Sequence, residues 1–182
     1  LNEYLGLSGA SSTAQKAPTR KAKPSKYSDV NFGKYYALVI GNNDYKYLPK
    51  LKTAAKDAKA VAKTLRDTFG FEVKTLINAT RDQILDAFDD YEGKLGKTDN
   101  FLIYYAGHGW LDEGREEGYW LPVDAKSNRR SKWISNPTIT STLKALRAKH
   151  VMVVADSCFS GTLTRGLKVE KRVVDYVREV VG

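Results

Sequence analysis

Two residues of this sequence could together perform nucleophilic catalysis. The only cysteine, Cys158, stands in "VVADSCFSG", where an apolar run gives way to a polar turn. His108 stands in "YYAGHG", between two glycines and 50 residues earlier. An imidazole beside a thiol favours the thiolate, which is the nucleophile, and the imidazolium can then protonate a leaving amine. The two residue types indicate a cysteine hydrolase, provided that the fold brings them together.

Four apolar runs and three helical patterns alternate along the chain, and they determine where these residues lie. The first helix is predicted from Thr53, as N-cap, to Gly70, and the second begins at the capping box "TRDQ". "NPTITSTLKALRAK" predicts the third helix, and "LDEGREEGYWLPVDA" predicts a hairpin or loop excursion. The predicted strands are "KYYALVI" ending at Gly41, "FEVKTLI", "NFLIYYAGHG" and "HVMVVADSC".

This β-α-β-α-β-α-β order predicts an α/β fold, with a mostly parallel sheet and helices on both faces. Consecutive strands of such a sheet usually lie side by side, and ligands bind at their carboxyl ends. We therefore expect His108 and Cys158 to face each other across that edge. The backbone N–H groups of Gly109 and Cys158 would be free to form an oxyanion hole.

Other interpretations of these residues are weaker. An isolated buried cysteine is usually a small apolar residue of the core. His150 opens a strand without polar partners nearby in the sequence, and we expect it to be structural. One cysteine and two histidines do not provide the four ligands of a structural zinc site, so we predict no metal site of that kind. The Gly-x-Ser-x-Gly motif of serine hydrolases is absent.

Composition narrows the class of protein further. The net charge is +9, made up of +3 in residues 1–33, −2 in residues 34–125 and +8 in residues 126–182. Because the basic excess lies at the two ends, without a nucleic-acid-binding signature, we expect no nucleic-acid partner. No apolar run is long enough to span a membrane, and no signal peptide is visible. We therefore expect a cytoplasmic location and no membrane partner.

The domain organisation follows from the same composition. Residues 1–33 are rich in Ser, Ala, Lys and Pro and lack periodicity, which predicts a linker or tail. Residues 34–182 form the predicted catalytic domain, and "EKRVVDYVREVV" near the end predicts a further helix. A single cysteine excludes an internal disulfide.

"YYAGHG" followed by "ADSCFSG" resembles the caspase-like cysteine peptidases, and in particular their metacaspase and bacterial caspase-like branch. The resemblance covers roughly Tyr35 to Gly166 and implies the caspase-like three-layer sandwich. The caspase signature is Gln-Ala-Cys-x-Gly with the histidine about 50 residues upstream, and this chain has Asp156 in place of the glutamine. An Asp there favours Arg or Lys before the scissile bond, as does Asp57, which matches a pocket-lining Asp of metacaspases.

The resemblance also implies two further properties. Arg129, Arg130 and Arg165 lie in predicted loops and are candidates for autoprocessing. Calcium stays open as an activator, with the acids of "LDEGREE" and Asp124 as oxygen donors, although the segment after the cysteine, "GTLTRGLK", is basic. No organic cofactor is expected.

The family domain normally continues beyond the cysteine into a smaller segment with two further strands, which this chain, ending at Gly182, does not include. We expect that segment either as an additional part of the same chain or as a separate chain that is a partner of this domain. We also expect a monomer.

We therefore interpret the chain as a cysteine endopeptidase with a Cys158–His108 dyad that cleaves protein or peptide substrates after Arg or Lys. The alternative is a non-catalytic caspase-like module that binds partners.

Overall fold

The computed structural model describes residues 31–157. Within them the chain forms seven strands, three α-helices and one short 3₁₀ helix. In chain order these are β1 (Tyr35–Gly41), α1 (Ala54–Asp67), β2 (Glu72–Ile77), α2 (Arg81–Lys94), β3 (Asn100–Ala106), β4 (His108–Asp112), β5 (Glu117–Leu121), the 3₁₀ helix (Arg130–Lys132), β6 (Ile134–Ser135), α3 (Asn136–Ala145) and β7 (His150–Asp156).

Four strands form the predicted parallel sheet, in the order β2-β1-β3-β7. All three pairings are parallel, so the carboxyl ends of the strands meet at one edge. β1 lies between two neighbours and is buried from Tyr36 to Gly41, which explains its continuous apolar sequence. The α/β prediction with a parallel central sheet is confirmed.

Helices cover both faces of this sheet because alternate residues of each strand point to opposite sides. Ala37 and Val39 of β1 pack towards α1, through Ala58 and other small residues of that helix. Leu38 and Ile40 pack in the opposite cluster, with residues of α2 and α3. The core is therefore three layers thick, as the sequence pattern predicts.

The two predicted helix starts have different capping. Thr80 and Gln83 form the predicted capping box at α2, with side-chain hydrogen bonds in both directions. Thr53 stands at the N-cap position of α1, but its side chain makes no capping hydrogen bond. The Oδ1 of Asn43 accepts from the N–H of Ala55 instead, at 3.0 Å. Thr53 is therefore the N-cap residue as predicted, but the side-chain hydrogen bond that caps α1 comes from Asn43, in the loop after β1.

The third predicted strand is two strands. β3 ends at Ala106, and His108 opens β4, which pairs antiparallel with β5 as the predicted hairpin. β5 also pairs with β6, so a three-stranded antiparallel sheet accompanies the parallel one. The break falls at Gly107, where the chain leaves the parallel sheet.

Some predictions fall outside the described residues: those on Cys158, on Arg165, on the tail segment before residue 31 and on the C-terminal helix. Within residues 31–157, no helix is both long enough and apolar enough to cross a bilayer. His150 lies at the amino end of the sheet, where its Nδ1 is 2.8 Å from Oδ1 of Asn100.

Candidate active site

The carboxyl ends of three strands lie next to one another at the edge where catalysis is predicted. In the register of the sheet, Ala106 of β3 is opposite Gly41 of β1 on one side and Asp156 of β7 on the other. The N–H of Gly107 points to the carbonyl of Asp156, at 3.4 Å. His108 thus follows the end of β3 by two residues, and Asp156 lies directly beside that strand end.

Two tyrosines hold the backbone of His108. The His108 N–H donates to Oη of Tyr45 at 2.7 Å. The Oη of Tyr105 lies 2.8 Å from the His108 carbonyl and 3.0 Å from that of Leu121, and it donates to this pair of acceptors. Tyr105 is completely buried and stacks on Trp120 with a ring separation of 4.4 Å. Burial raises its pKa well above the usual value, so it remains a hydroxyl donor.

The imidazole of His108 has a defined orientation and tautomer. Its Nε2 lies 2.8 Å from the carbonyl oxygen of Pro49. A carbonyl oxygen only accepts hydrogen bonds, so Nε2 carries the proton and Nδ1 of the neutral ring keeps its lone pair. The ring also packs on Tyr45, at 4.5 Å between centroids. His108 is half-buried, with a basic nitrogen available for proton transfer.

Tyr45 and Pro49 belong to the loop of residues 42–53, which side-chain amides hold in place. The Oδ1 of Asn78 accepts from the N–H groups of Asn43 and Asp44, at 2.8 and 3.0 Å. The Oδ1 of buried Asn42 accepts from the N–H of Ala79 at 2.8 Å. This loop is therefore anchored to the turn after β2, and it supports the histidine from outside the sheet.

Two glycines at the sheet edge are required by close packing. A Cβ on Gly107 would lie 2.7 Å from Oη of Tyr45 and 2.8 Å from Oη of Tyr105. A Cβ on Gly41 would lie 2.5 Å from the Cβ of Ala58 in α1. Gly107 therefore leaves space for the two tyrosines that hold the histidine.

The two acidic side chains predicted to bind a basic residue lie around one tyrosine. The Oη of Tyr104 donates to Oδ2 of Asp156 at 3.1 Å. Burial, the hydrogen bond to Asp156 and the negative charges of Asp156 and Asp57 raise the pKa of Tyr104 to about 12. Asp156 is exposed and Asp57 is half-buried, and the charges of both act on the Tyr104 hydroxyl.

Comparison with known proteins assigns the family. A family model described as the caspase domain matches residues 34–178. The chain belongs to the caspase domain family. This is a family of cysteine peptidases, so the family agrees with the resemblance carried by "YYAGHG" and "ADSCFSG".

Individual relatives share part of the chain. The human protein named mucosa-associated lymphoid tissue lymphoma translocation protein 1 is 36% identical over 96 residues, and its mouse homolog has the same identity over the same length. The match covers 53% of this chain but 11% of either relative. The chain thus spans about a tenth of the length of these relatives.

A solved structure supports the fold. The crystal structure of protein GSU0716 from Geobacter sulfurreducens superposes with a TM-score of 0.60 at 24% identity. The alignment covers 81% of this chain and 64% of that one. At this identity the likeness concerns the caspase-like α/β fold alone.

Within this caspase domain, the candidate oxyanion donor Gly109 lies in β4. It is buried, and it is directly opposite Trp120 of β5. Its prospective partner Cys158 lies outside the described residues, and Ser157 is the last residue before it.

The arginines predicted for autoprocessing lie in the connection between β5 and β6. Arg129 and Arg130 are both exposed, and Arg130 begins the 3₁₀ helix. The guanidinium of Arg130 donates to Asp112 at 2.7 Å.

Two of the acids considered for calcium, Asp112 and Asp124, have cationic or N–H partners. Asp112 pairs with both Arg115 and Arg130. Asp124 accepts from the N–H of Arg81 at 3.0 Å and lies 3.6 Å from Nζ of Lys132. Among residues 31–157, no three His, Cys, Asp or Glu side chains converge in a group that could hold a metal ion.

Sequence reasoning missed Tyr45, Pro49, Tyr104 and Tyr105. One signal was available, since "GNNDYKYLPKL" follows β1 at the same sheet edge as His108. The His108 imidazole thus has a partner in the Pro49 carbonyl, and a backbone atom cannot be recognised from residue type.

Proposed function

We propose that this caspase domain is a cysteine endopeptidase that cleaves after Arg or Lys. The observation that carries the proposal is the His108 imidazole, which the Pro49 carbonyl orients through Nε2 at the start of β4, just beyond the end of β3. Cys158 follows Ser157 directly, so the peptide bond keeps its Cα about 3.8 Å from that of Ser157. β7 ends at Asp156, next to β3, and we propose that the thiol of Cys158 meets the His108 imidazole at this edge of the sheet.

In the proposed reaction, His108 Nδ1 takes the thiol proton of Cys158 and the thiolate attacks the scissile carbonyl. The tetrahedral intermediate collapses as the imidazolium protonates the leaving amine, which breaks the C–N bond and leaves a thioester. The same Nδ1 then removes a proton from water, and the resulting attack releases the acid and restores the thiol. The Pro49 carbonyl stabilises the imidazolium formed in the first step, because its negative end faces the Nε2–H.

The intermediate carries a negative oxygen that needs donors. We assign this role to the backbone N–H groups of Gly109 and Cys158, as in oxyanion holes generally. Removing one such donor typically costs about 100- to 1000-fold in turnover.

Specificity in this proposal comes from Asp57 and Asp156. The Tyr104 hydroxyl donates to Asp156 at 3.1 Å, and after burial and this hydrogen bond the charges of Asp156 and Asp57 contribute to the raised pKa of Tyr104. A guanidinium or ammonium group placed there gains two opposite charges and charge-assisted hydrogen bonds, whereas an acidic side chain is repelled.

No organic cofactor enters this chemistry, and the proposed enzyme acts on protein or peptide substrates as a monomer. Its own exposed Arg129 and Arg130 are proposed cleavage sites, together with Arg165. An active preparation that keeps its intact mass would exclude autoprocessing.

Paired fluorogenic peptides with Arg or Asp before the scissile bond test the function. We expect cleavage of the Arg peptide, and its loss in Cys158→Ala and His108→Ala. His150→Ala is the matched control, because this histidine lies at the opposite end of the sheet, and it should retain activity. Cleavage after Asp would overturn the specificity, and no cleavage of either peptide would favour the non-catalytic caspase-like module.

A further inference from the structure

A cleft opens on β4 next to the catalytic histidine. Trp110 follows His108 by two residues, and alternate residues of a strand face the same side, so both side chains lie on one face of β4. The Trp110 indole packs against Trp133 with centroids 5.8 Å apart. The cleft beside this pair, here called the Trp110 cleft, has a volume of about 260 Å³, and the rest of its lining is polar or charged: Asp112, Ser127, Asn128, Arg129 and Arg130.

The charged side chains give the Trp110 cleft a positive balance. The carboxylate of Asp112 is held by Arg115 at 3.0 Å and by Arg130 at 2.7 Å. The hydrogen bond from Arg115 and the charges of both arginines keep the pKa of Asp112 below its usual value, so the carboxylate is ionised at neutral pH, and the two ion pairs compensate its charge. Within residues 31–157, the guanidinium of Arg129 has no ion-pair partner. One cation thus remains available to a ligand.

The position of the cleft matches one side of a bound substrate. Asp156, on the basic-residue side, is in register with Ala106, two residues before His108. Trp110 stands two residues after His108 in β4, beyond the point where the chain leaves the parallel sheet. His108 must lie beside the leaving amine in order to protonate it. An extended peptide advances about 3.3 Å per residue, as β4 does, so a leaving segment that runs along β4 would reach Trp110 with its second and third residues after the scissile bond.

We propose that the Trp110 cleft binds the leaving side of the substrate and prefers an acidic residue at the second or third position after the scissile bond. This inference rests on the proposed peptidase function. The two indoles supply the apolar walls for the peptide chain, and Arg129 supplies the charge that selects Glu or Asp.

Binding to the Cys158→Ala chain tests the cleft without catalysis. Peptides of the form Ala-Ala-Arg-Gly-Xaa-Xaa, with Glu or Lys at both final positions, are titrated against tryptophan fluorescence. We expect the Glu peptide to bind about fivefold more tightly, the upper range for one exposed ion pair. Adding Arg129→Glu should reverse the preference. Lys144→Glu is the matched control, because it makes the same charge change on α3, outside the cleft, and should keep the preference for Glu.

Equal affinity for the Glu and Lys peptides would overturn the proposal, as would an unchanged preference in Arg129→Glu. The proposed function is tested separately by an Arg-coumarin substrate, which has no amino acid after the scissile bond. Hydrolysis of that substrate together with equal peptide binding would refute the cleft alone. Selective binding without hydrolysis would retain the cleft and refute the peptidase.

Discussion

Substitution of Gly107 by Ala tests the arrangement that holds His108. The added methyl would lie 2.7 Å from Oη of Tyr45 and 2.8 Å from Oη of Tyr105, both shorter than any normal Cβ contact. Tyr105 is completely buried and stacked on Trp120, so it cannot simply move aside. Overpacking of this kind costs about 1–3 kcal/mol of unfolding free energy.

Urea denaturation of Gly107→Ala measures this cost, and Gly93→Ala is its matched control. Gly93 lies inside α2, and nothing is within 4 Å of a Cβ built there. The control should be more stable than the unsubstituted protein by about 0.5–1 kcal/mol, because Ala is the better helix residue. The two Gly→Ala substitutions should therefore change the unfolding free energy in opposite directions.

A double-mutant cycle identifies the clash itself. Tyr45→Phe removes one of the two hydroxyls and leaves the His108 N–H unpaired, at a cost of about 1–3 kcal/mol. In the double variant the methyl introduced by Gly107→Ala partly fills the vacated space. We expect it to be more stable than the sum of the single effects by about 0.5–2 kcal/mol.

Activity provides a second measurement on the same variants. A displacement of about 1 Å at the histidine can lower the rate about 100-fold, so kcat/KM on the Arg peptide should fall far more in Gly107→Ala than in Gly93→Ala. The packing argument would be refuted if Gly107→Ala had the same unfolding free energy as the unsubstituted protein. It would also be refuted if the effects in the cycle were strictly additive. Loss of activity with unchanged stability would support only the displacement of the histidine.

Three further predictions concern carboxylates. Asp156→Asn and Asp57→Asn should each lower kcat/KM for Arg peptides about 10- to 100-fold, the loss of one charge-assisted hydrogen bond, and rates that stay the same would contradict the pocket assignment. Asp156→Asn should also lower the pKa of Tyr104 from about 12, since it removes a neighbouring negative charge. An NMR titration of the Tyr104 ring measures this pKa, and an unchanged value would contradict the prediction. Asp99 accepts from two backbone N–H groups, which lower its pKa. The stabilisation that the Asp99 carboxylate contributes is therefore complete above the ordinary carboxyl pKa and is lost as pH falls through the lowered pKa of Asp99. Asp99→Asn should thus make the urea midpoint depend less steeply on pH in the acid range. A dependence as steep as that of the unsubstituted protein would exclude this role.

The strands and helices of the fold could be predicted from the sequence because they depend on local chemistry. β1 is continuously apolar since both of its faces are covered, and the capping box at Thr80 has side chains that complete each other within four residues. The placement of His108 and Asp156 at neighbouring strand ends followed from the same pattern, because parallel strands bring their carboxyl ends together. The breaks in that pattern were not readable. His108 opens an antiparallel strand, and the side-chain hydrogen bond that caps α1 comes from Asn43 rather than Thr53.

By itself, the sequence determined the parallel α/β sheet, the positions of His108 and Asp156 at its edge, and the family that these motifs indicate. Only the tertiary structure decided how the histidine is held. Pro49 acts through a backbone carbonyl, which every residue possesses. Two tyrosine hydroxyls bind the His108 backbone: Tyr45 lies 63 residues before His108 in the sequence, and Tyr105 lies three residues before it. Such contacts depend on distances in space, and those distances exist only once the loop after β1 has packed against β3 and β4.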